Sequence, residues 1–181
     1  MKLETIATDT LLETERFDLR PVRESDAGLI SLYAGDERVA RFTTSIPHPL
    51  PPGTAEAFIA RVMDPDHPED VWVMDGTRIG GGEVMGLIGL ERMDRDQSEI
   101  GYWVAPAYWN SGIASAAVEA ILSANPQNAQ TVFASVFQDN AASARVLTNC
   151  GFRYLGDAES FSVARKANVP TWTYSRAMDN G

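Results

Sequence analysis

Apolar and polar positions change period several times along the chain, and each change marks an element. Residues 16–20 alternate, with Phe17 and Leu19 on one face, as a strand does. Leu29, Ile30, Leu32 and Tyr33 give apolar contacts to a helix over residues 26–34, with Ser25 expected as its N-cap. The proline-rich stretch 47–53 has to be a loop. Thr54 is then expected to cap a short amphipathic helix holding Phe58, Ile59 and Val62, and residues 64–70 read as a second loop. Residues 71–74 and 83–93 read as strands joined through Asp75, Gly76 and Gly80–Gly82, a hairpin signal, and Gln97–Val104 is the next strand. Ile113, Ala117, Ala120, Ile121 and Ala124 then form one stripe of a helix that ends at Asn125-Pro126. Thr131–Phe137 is apolar on both faces, which predicts an inner strand. Asn140 can cap the following helix and Gly151 can end it, and residues 152–155 and 172–177 read as closing strands. The order β-α-α-β-β-β-α-β-α-β-β describes one α/β domain over residues 1–181.

Composition narrows what such a domain can do. A formal net charge of −10 argues against a nucleic-acid partner and mildly favours cationic acceptors such as amines. No apolar run reaches membrane-span length, and residues 1–9 hold no apolar core of signal-peptide length. The single cysteine, Cys150, excludes an internal disulfide and fits a cytoplasmic location; its place on the apolar side of a helix predicts core packing. His48 and His67 lie in proline-rich loops without neighbours at ligand spacing, so no metal is expected.

The chemistry concentrates where strand Gln97–Val104 turns into the next helix, at Trp109, Asn110, Ser111, Gly112, Ile113, Ala114 and Ser115. The first N–H groups of a helix have no partner in their own helix, and the helix dipole favours negative charge there. Gly112 permits close approach of a ligand to the backbone, and Ala114 and Ser115 add little bulk. The phosphates of a nucleotide-like cofactor suit such a turn.

A second motif, Asn140-x-x-Ser143-x-x-x-Leu147-x-x-x-Gly151-Phe152, follows one strand later. Together with the turn, and with the opening Glu13-Thr-Glu-Arg16-Phe-Asp-Leu19-Arg20-Pro21, it resembles the GNAT N-acetyltransferases, in the branch of the ribosomal-protein N-terminal acetyltransferases. The resemblance runs over a core of about residues 11–177. It implies a single-domain GNAT fold, a mixed and mostly antiparallel sheet flanked by helices and splayed at the cofactor site. It implies acetyl-CoA as co-substrate and a primary amine as acceptor, either a protein N-terminus or a small molecule, attacked directly in a ternary complex. It further implies that N–H groups from Asn110 to Ser115 hold the pyrophosphate. Trp103 and Val104 would pair with the pantetheine arm, Asn140 would lie beside it, and Arg145 would approach a phosphate. Ser143 would act as general acid in place of the tyrosine that many members carry where this chain has Leu147.

The base is harder to assign. The strand glutamate of one subgroup falls on Ser135, which leaves Glu99 as a candidate beside Glu91 and Glu83. The acceptor groove is expected at Arg41–Thr44 and near Phe161 and Trp172. The missing tyrosine and glutamate also motivate a rival, a catalytically silent acyl-CoA-binding sensor or partner module. Either a monomer or a homodimer fits the sequence.

Overall fold

In a computed structural model, which describes residues 11–179, the chain forms one eight-stranded sheet between two helical layers. The strands are β1 (Leu12–Glu13), β2 (Asp18–Pro21), β3 (Glu69–Asp75), β4 (Gly86–Met93), β5 (Gln97–Val104), β6 (Thr131–Phe137), β7 (Arg153–Ser162) and β8 (Ala167–Ala177). The helices are α1 (Ala27–Ala34), α2 (Glu37–Ala40), α3 (Thr54–Met63), α4 (Ile113–Ala124) and α5 (Ala141–Asn149). The strand order is β1-β2-β3-β4-β5-β6-β8-β7, and every pairing is antiparallel except β5 with β6. The two parallel strands are joined through α4, as a parallel pair requires a crossover.

Each face of the sheet buries its own core. Ile113, Ala117, Val118 and Ile121 of α4 and Leu147 of α5 pack on Ile88, Ile100, Val132 and Ala134. Ile30, Ala55, Ile59 and Val62 of α1 and α3 pack on Val71, Val73, Val84 and Leu87 of the opposite face. Cys150, at the end of α5, belongs to the first core. No helix among the described residues is long and apolar enough to cross a membrane. The expectation about residues 1–9 lies outside the described residues.

Two expected helix caps are displaced. Ser25 does not cap α1: Glu24–Asp26 tighten into a 3-10 turn instead, because the Asp26 carboxylate accepts from the Arg23 N–H at 2.8 Å. That carboxylate is also gripped by Arg20, whose Nη1 and Nη2 donate to it at 2.9 and 2.8 Å while Nε donates to Asp75 at 2.6 Å. Arg20 is 4 % exposed and both carboxylates are buried beside it, and losing one side of such a network costs about 3–5 kcal/mol. Thr54 does not cap α3 either: its hydroxyl donates to the Pro51 carbonyl at 2.7 Å, and Gly53, at φ +82°, takes the N-cap position.

Candidate active site

β5 and β6 pair only at Gln97↔Thr131, Ser98↔Val132 and Glu99↔Phe133. Beyond Glu99 the two strands diverge, and a cleft of about 1360 Å3 opens between them and across both faces of the sheet. β5 continues antiparallel to β4 as far as Gly86↔Val104, so the split does not fray it.

The turn before α4 borders this cleft. Asn110 (φ +59°) and Gly112 (φ +79°) both take left-handed conformations, which fold the chain back so that α4 begins at Ile113. Gly112 is the N-cap and supplies no side-chain acceptor, so the first N–H groups of α4 stay available to a ligand. A Cβ at Gly112 would come within 3.0 Å of Arg16 Nη2, so the guanidinium of the β1–β2 turn lies against this glycine. Ser111 donates its hydroxyl to the Tyr108 carbonyl, which tightens the turn. Trp109 folds back, its indole donating to the Val104 carbonyl at 2.6 Å. One lone pair of that carbonyl is therefore taken by Trp109, and the other stays open toward the cleft.

The residues assigned from the sequence to the cofactor and to catalysis, Trp103 and Val104, the run Trp109–Ser115, then Glu99, Asn140, Ser143 and Arg145, lie around this one cleft; Glu91 lines it too, whereas Glu83 does not. Asn140 Oδ1 accepts from the Ser143 N–H at 3.3 Å, so it does cap α5. Leu147 is wholly buried in the core and brings no hydroxyl to the cleft. Of the expected acceptor residues, Phe42, Thr43, Thr44 and Phe161 line the cleft. Trp172 does not: it sits on the opposite face of β8 and packs against the α4–α5 core, a consequence of strand alternation.

Three groups in the cleft were not legible as site residues. Tyr102 points from β5 to α5, its hydroxyl 2.8 Å from Ser143 Oγ. Burial pushes its phenol up to about 12. Glu69 begins β3 where a loop was expected, and the register sets Glu69 opposite Glu91 and Glu91 opposite Glu99, three carboxylates in a row on one face. Desolvation first, and then the charge of Glu91, raise the pKa of Glu69 and of Glu99. Finally, Thr171 is 2 % exposed, and its Oγ1 has no hydrogen-bond partner among the described residues although it borders the cleft. Pattern along one strand could have flagged Tyr102; the other two depend on register between strands.

A family model of the acetyltransferase (GNAT) domain matches residues 16–153, most of the chain. The chain belongs to the GNAT acetyltransferase family. Among curated proteins it is similar to an uncharacterized N-acetyltransferase of Bacillus subtilis, YoaA, at 26 % identity over 91 % of this chain and 95 % of the relative. Among solved structures, RimL, a ribosomal α-N-protein acetyltransferase in complex with coenzyme A, superposes with a TM-score of 0.80 at 15 % identity, covering 95 % of this chain and all of that one. MccE, a microcin self-immunity acetyltransferase in complex with acetyl-CoA and AMP, superposes at 0.78 with 14 % identity, covering 91 % and 94 %. At those identities the two structures establish the GNAT fold, whose split sheet is the cleft described above.

Proposed function

We propose that this protein is an acetyl-CoA-dependent N-acetyltransferase that moves an acetyl group to a primary amine by direct attack in a ternary complex. The observation that carries this reading is the parting of β5 from β6 after Glu99↔Phe133, into a cleft bordered by both motif turns. The residues fit the co-substrate. N–H groups from Asn110 to Ser115 would hold the pyrophosphate, assisted by the hydroxyl of Ser115. Trp103 and Val104 would face the pantetheine arm as an added strand would. Trp109 would border it, and Asn140 and Arg145 would approach it from α5. Acetyl-CoA supplies an activated thioester, and the protein has to do the rest.

A main-chain N–H near Val104 would stabilise the oxyanion, the charge that develops as the amine attacks. Glu99 would take the proton from that amine. Its raised pKa suits the task, since a carboxylate held above its ordinary value is the stronger base. Ser143 would face the leaving sulfur. The acceptor would enter between the α1–α3 layer and the β7–β8 hairpin, and the carboxylates of Glu69, Glu91 and Glu99 favour a cationic acceptor, either a protein N-terminus or a small amine.

The test is calorimetric titration with acetyl-CoA, with ATP as control, followed by thiol release against a panel of peptide N-termini and small amines. Binding of acetyl-CoA alone, with turnover of one class, is the expected result. Binding without turnover of any amine points to the silent acyl-CoA-binding module. Absence of acetyl-CoA binding overturns the reading.

A further inference from the structure

The Tyr102 hydroxyl lies 2.8 Å from Ser143 Oγ and 3.4 Å from the Ser143 main-chain oxygen. Both residues border the cleft. The pair has two hydrogen arrangements. In one, Ser143 donates to the phenol oxygen and the phenol donates to the carbonyl, which uses up the serine hydrogen. In the other, Tyr102 donates to Ser143 Oγ over the shorter contact and the serine hydrogen is turned outward into the cleft. A phenol is a better donor than an alcohol, and its ring-conjugated oxygen is a poorer acceptor. The 2.8 Å contact is also far shorter than the 3.4 Å one, so the second arrangement prevails. Burial keeps the phenol protonated at any working pH, so this donor never switches off.

We propose that Tyr102 is a positioning residue for acetyl transfer: by donating to Ser143 Oγ it turns the Ser143 hydroxyl hydrogen toward the leaving sulfur. This rests on the reading that Ser143 faces the thioester. As the C–S bond breaks, its electron pair goes to sulfur, and the thiolate accepts a hydrogen bond from Ser143. Neither hydroxyl surrenders its proton. A thiol titrates near ~8.5, so both serine and a phenol near 12 are weaker acids, and full transfer would run uphill. The amine proton leaves through the base, and the thiolate is protonated by solvent after release. Leu147, buried in the core, cannot provide a hydroxyl from α5, and Tyr102 brings one from β5 instead.

The test compares Tyr102→Phe, Ser143→Ala and the double variant by steady-state thiol release. Each single change is expected to lower kcat about tenfold with KM for acetyl-CoA nearly unchanged, and the double variant to be no slower than the slower single, as for two groups acting as one. A readout that packing alone would not move is donor chemistry. With the acetyl seleno analogue of the co-substrate, whose selenolate leaves readily, the penalty should fall below about twofold in both variants. A loose core would slow both donors alike. The inference is overturned by a Tyr102→Phe protein at wild-type rate, by losses that multiply in the double variant, or by no recovery with selenium. Should Tyr102→Phe misfold, Ser143→Ala, which keeps the ring, reads the same donor dependence. A wild-type protein that releases no thiol with any amine overturns the acetyltransferase reading and this inference with it. An active wild type beside an unimpaired Tyr102→Phe overturns this inference alone.

Discussion

As the proposed base, Glu99 would serve function against stability. It is desolvated in the cleft and faces Glu91 across the β4–β5 ladder, so its pKa lies above the ordinary glutamate value. For catalysis the sign is simple: the base acts when ionised, so kcat should climb with pH through that raised value. Glu99→Gln should lose about a hundredfold in kcat and flatten the acid limb of the pH–rate profile. For stability the sign is opposite. Below the unfolded-state pKa both states hold the proton. Between the two pKa values only the native state holds it, so stability falls as pH rises through that window and stays lower above it. Glu99→Gln should therefore raise Tm at neutral pH while it lowers activity; a melting series from acid to neutral pH checks both signs. Thr171 supports a related prediction. Its buried Oγ1 lacks a partner among the described residues, so Thr171→Val removes an unsatisfied polar atom and should leave Tm unchanged or higher. If the acceptor uses that hydroxyl, acceptor KM rises about tenfold while KM for acetyl-CoA holds, as initial rates in both substrates would show.

At the scale of elements, Arg165 joins three segments at the end of the cleft proposed for the acceptor. It follows β7, donates to the Arg41 carbonyl at 2.8 Å, pairs with Asp139 at 2.7 and 3.0 Å, and stacks over Phe42 and Phe137 at 5.5 and 5.0 Å. The Val163 N–H also donates to the Thr44 carbonyl at 3.1 Å, so the β7–β8 turn is pinned to the loop after α2. Arg165→Ala should free that loop and raise acceptor KM several-fold, with acetyl-CoA affinity from calorimetry unchanged. None of these contacts was legible in the chain, although the elements on either side were. The stripe of α4, the alternation of β5 and the capped α5 announce themselves because each is local and strongly periodic. β7 and β8 extend well beyond the short strands expected because β7 is an edge strand with few buried positions, so burial writes little alternation into its sequence. Glu69 was hidden for a related reason: its place depends on the pairing Glu69↔Glu91, a non-local register that the surrounding loop residues obscure. The turn before α4 was visible, whereas the Tyr102–Ser143 contact needed β5 and α5 to be brought together.

Across the whole molecule, charge opposes the co-substrate and would assist a cationic acceptor. The chain carries −10, and coenzyme A is itself a polyanion. On the proposed site, binding would come from short-range donors: the N–H groups opening α4, and nearby cations such as Arg145. Contacts of that range are little screened by salt, whereas repulsion from the rest of the surface is strongly screened. The acceptor sees the reverse. A cationic amine is drawn to the acidic surface and to the row Glu69, Glu91 and Glu99, and salt weakens that attraction. Raising ionic strength from about 20 mM to about 300 mM should then move the two substrates in opposite directions. KM for acetyl-CoA should fall roughly two- to threefold, and KM for a cationic acceptor should rise by at least as much. A neutral amine acceptor of the same size should show no such rise, which separates field effects from a general effect of salt on the enzyme. Parallel shifts for both substrates would place the recognition of the acceptor in apolar contacts of the cleft, with the carboxylate row left to proton transfer.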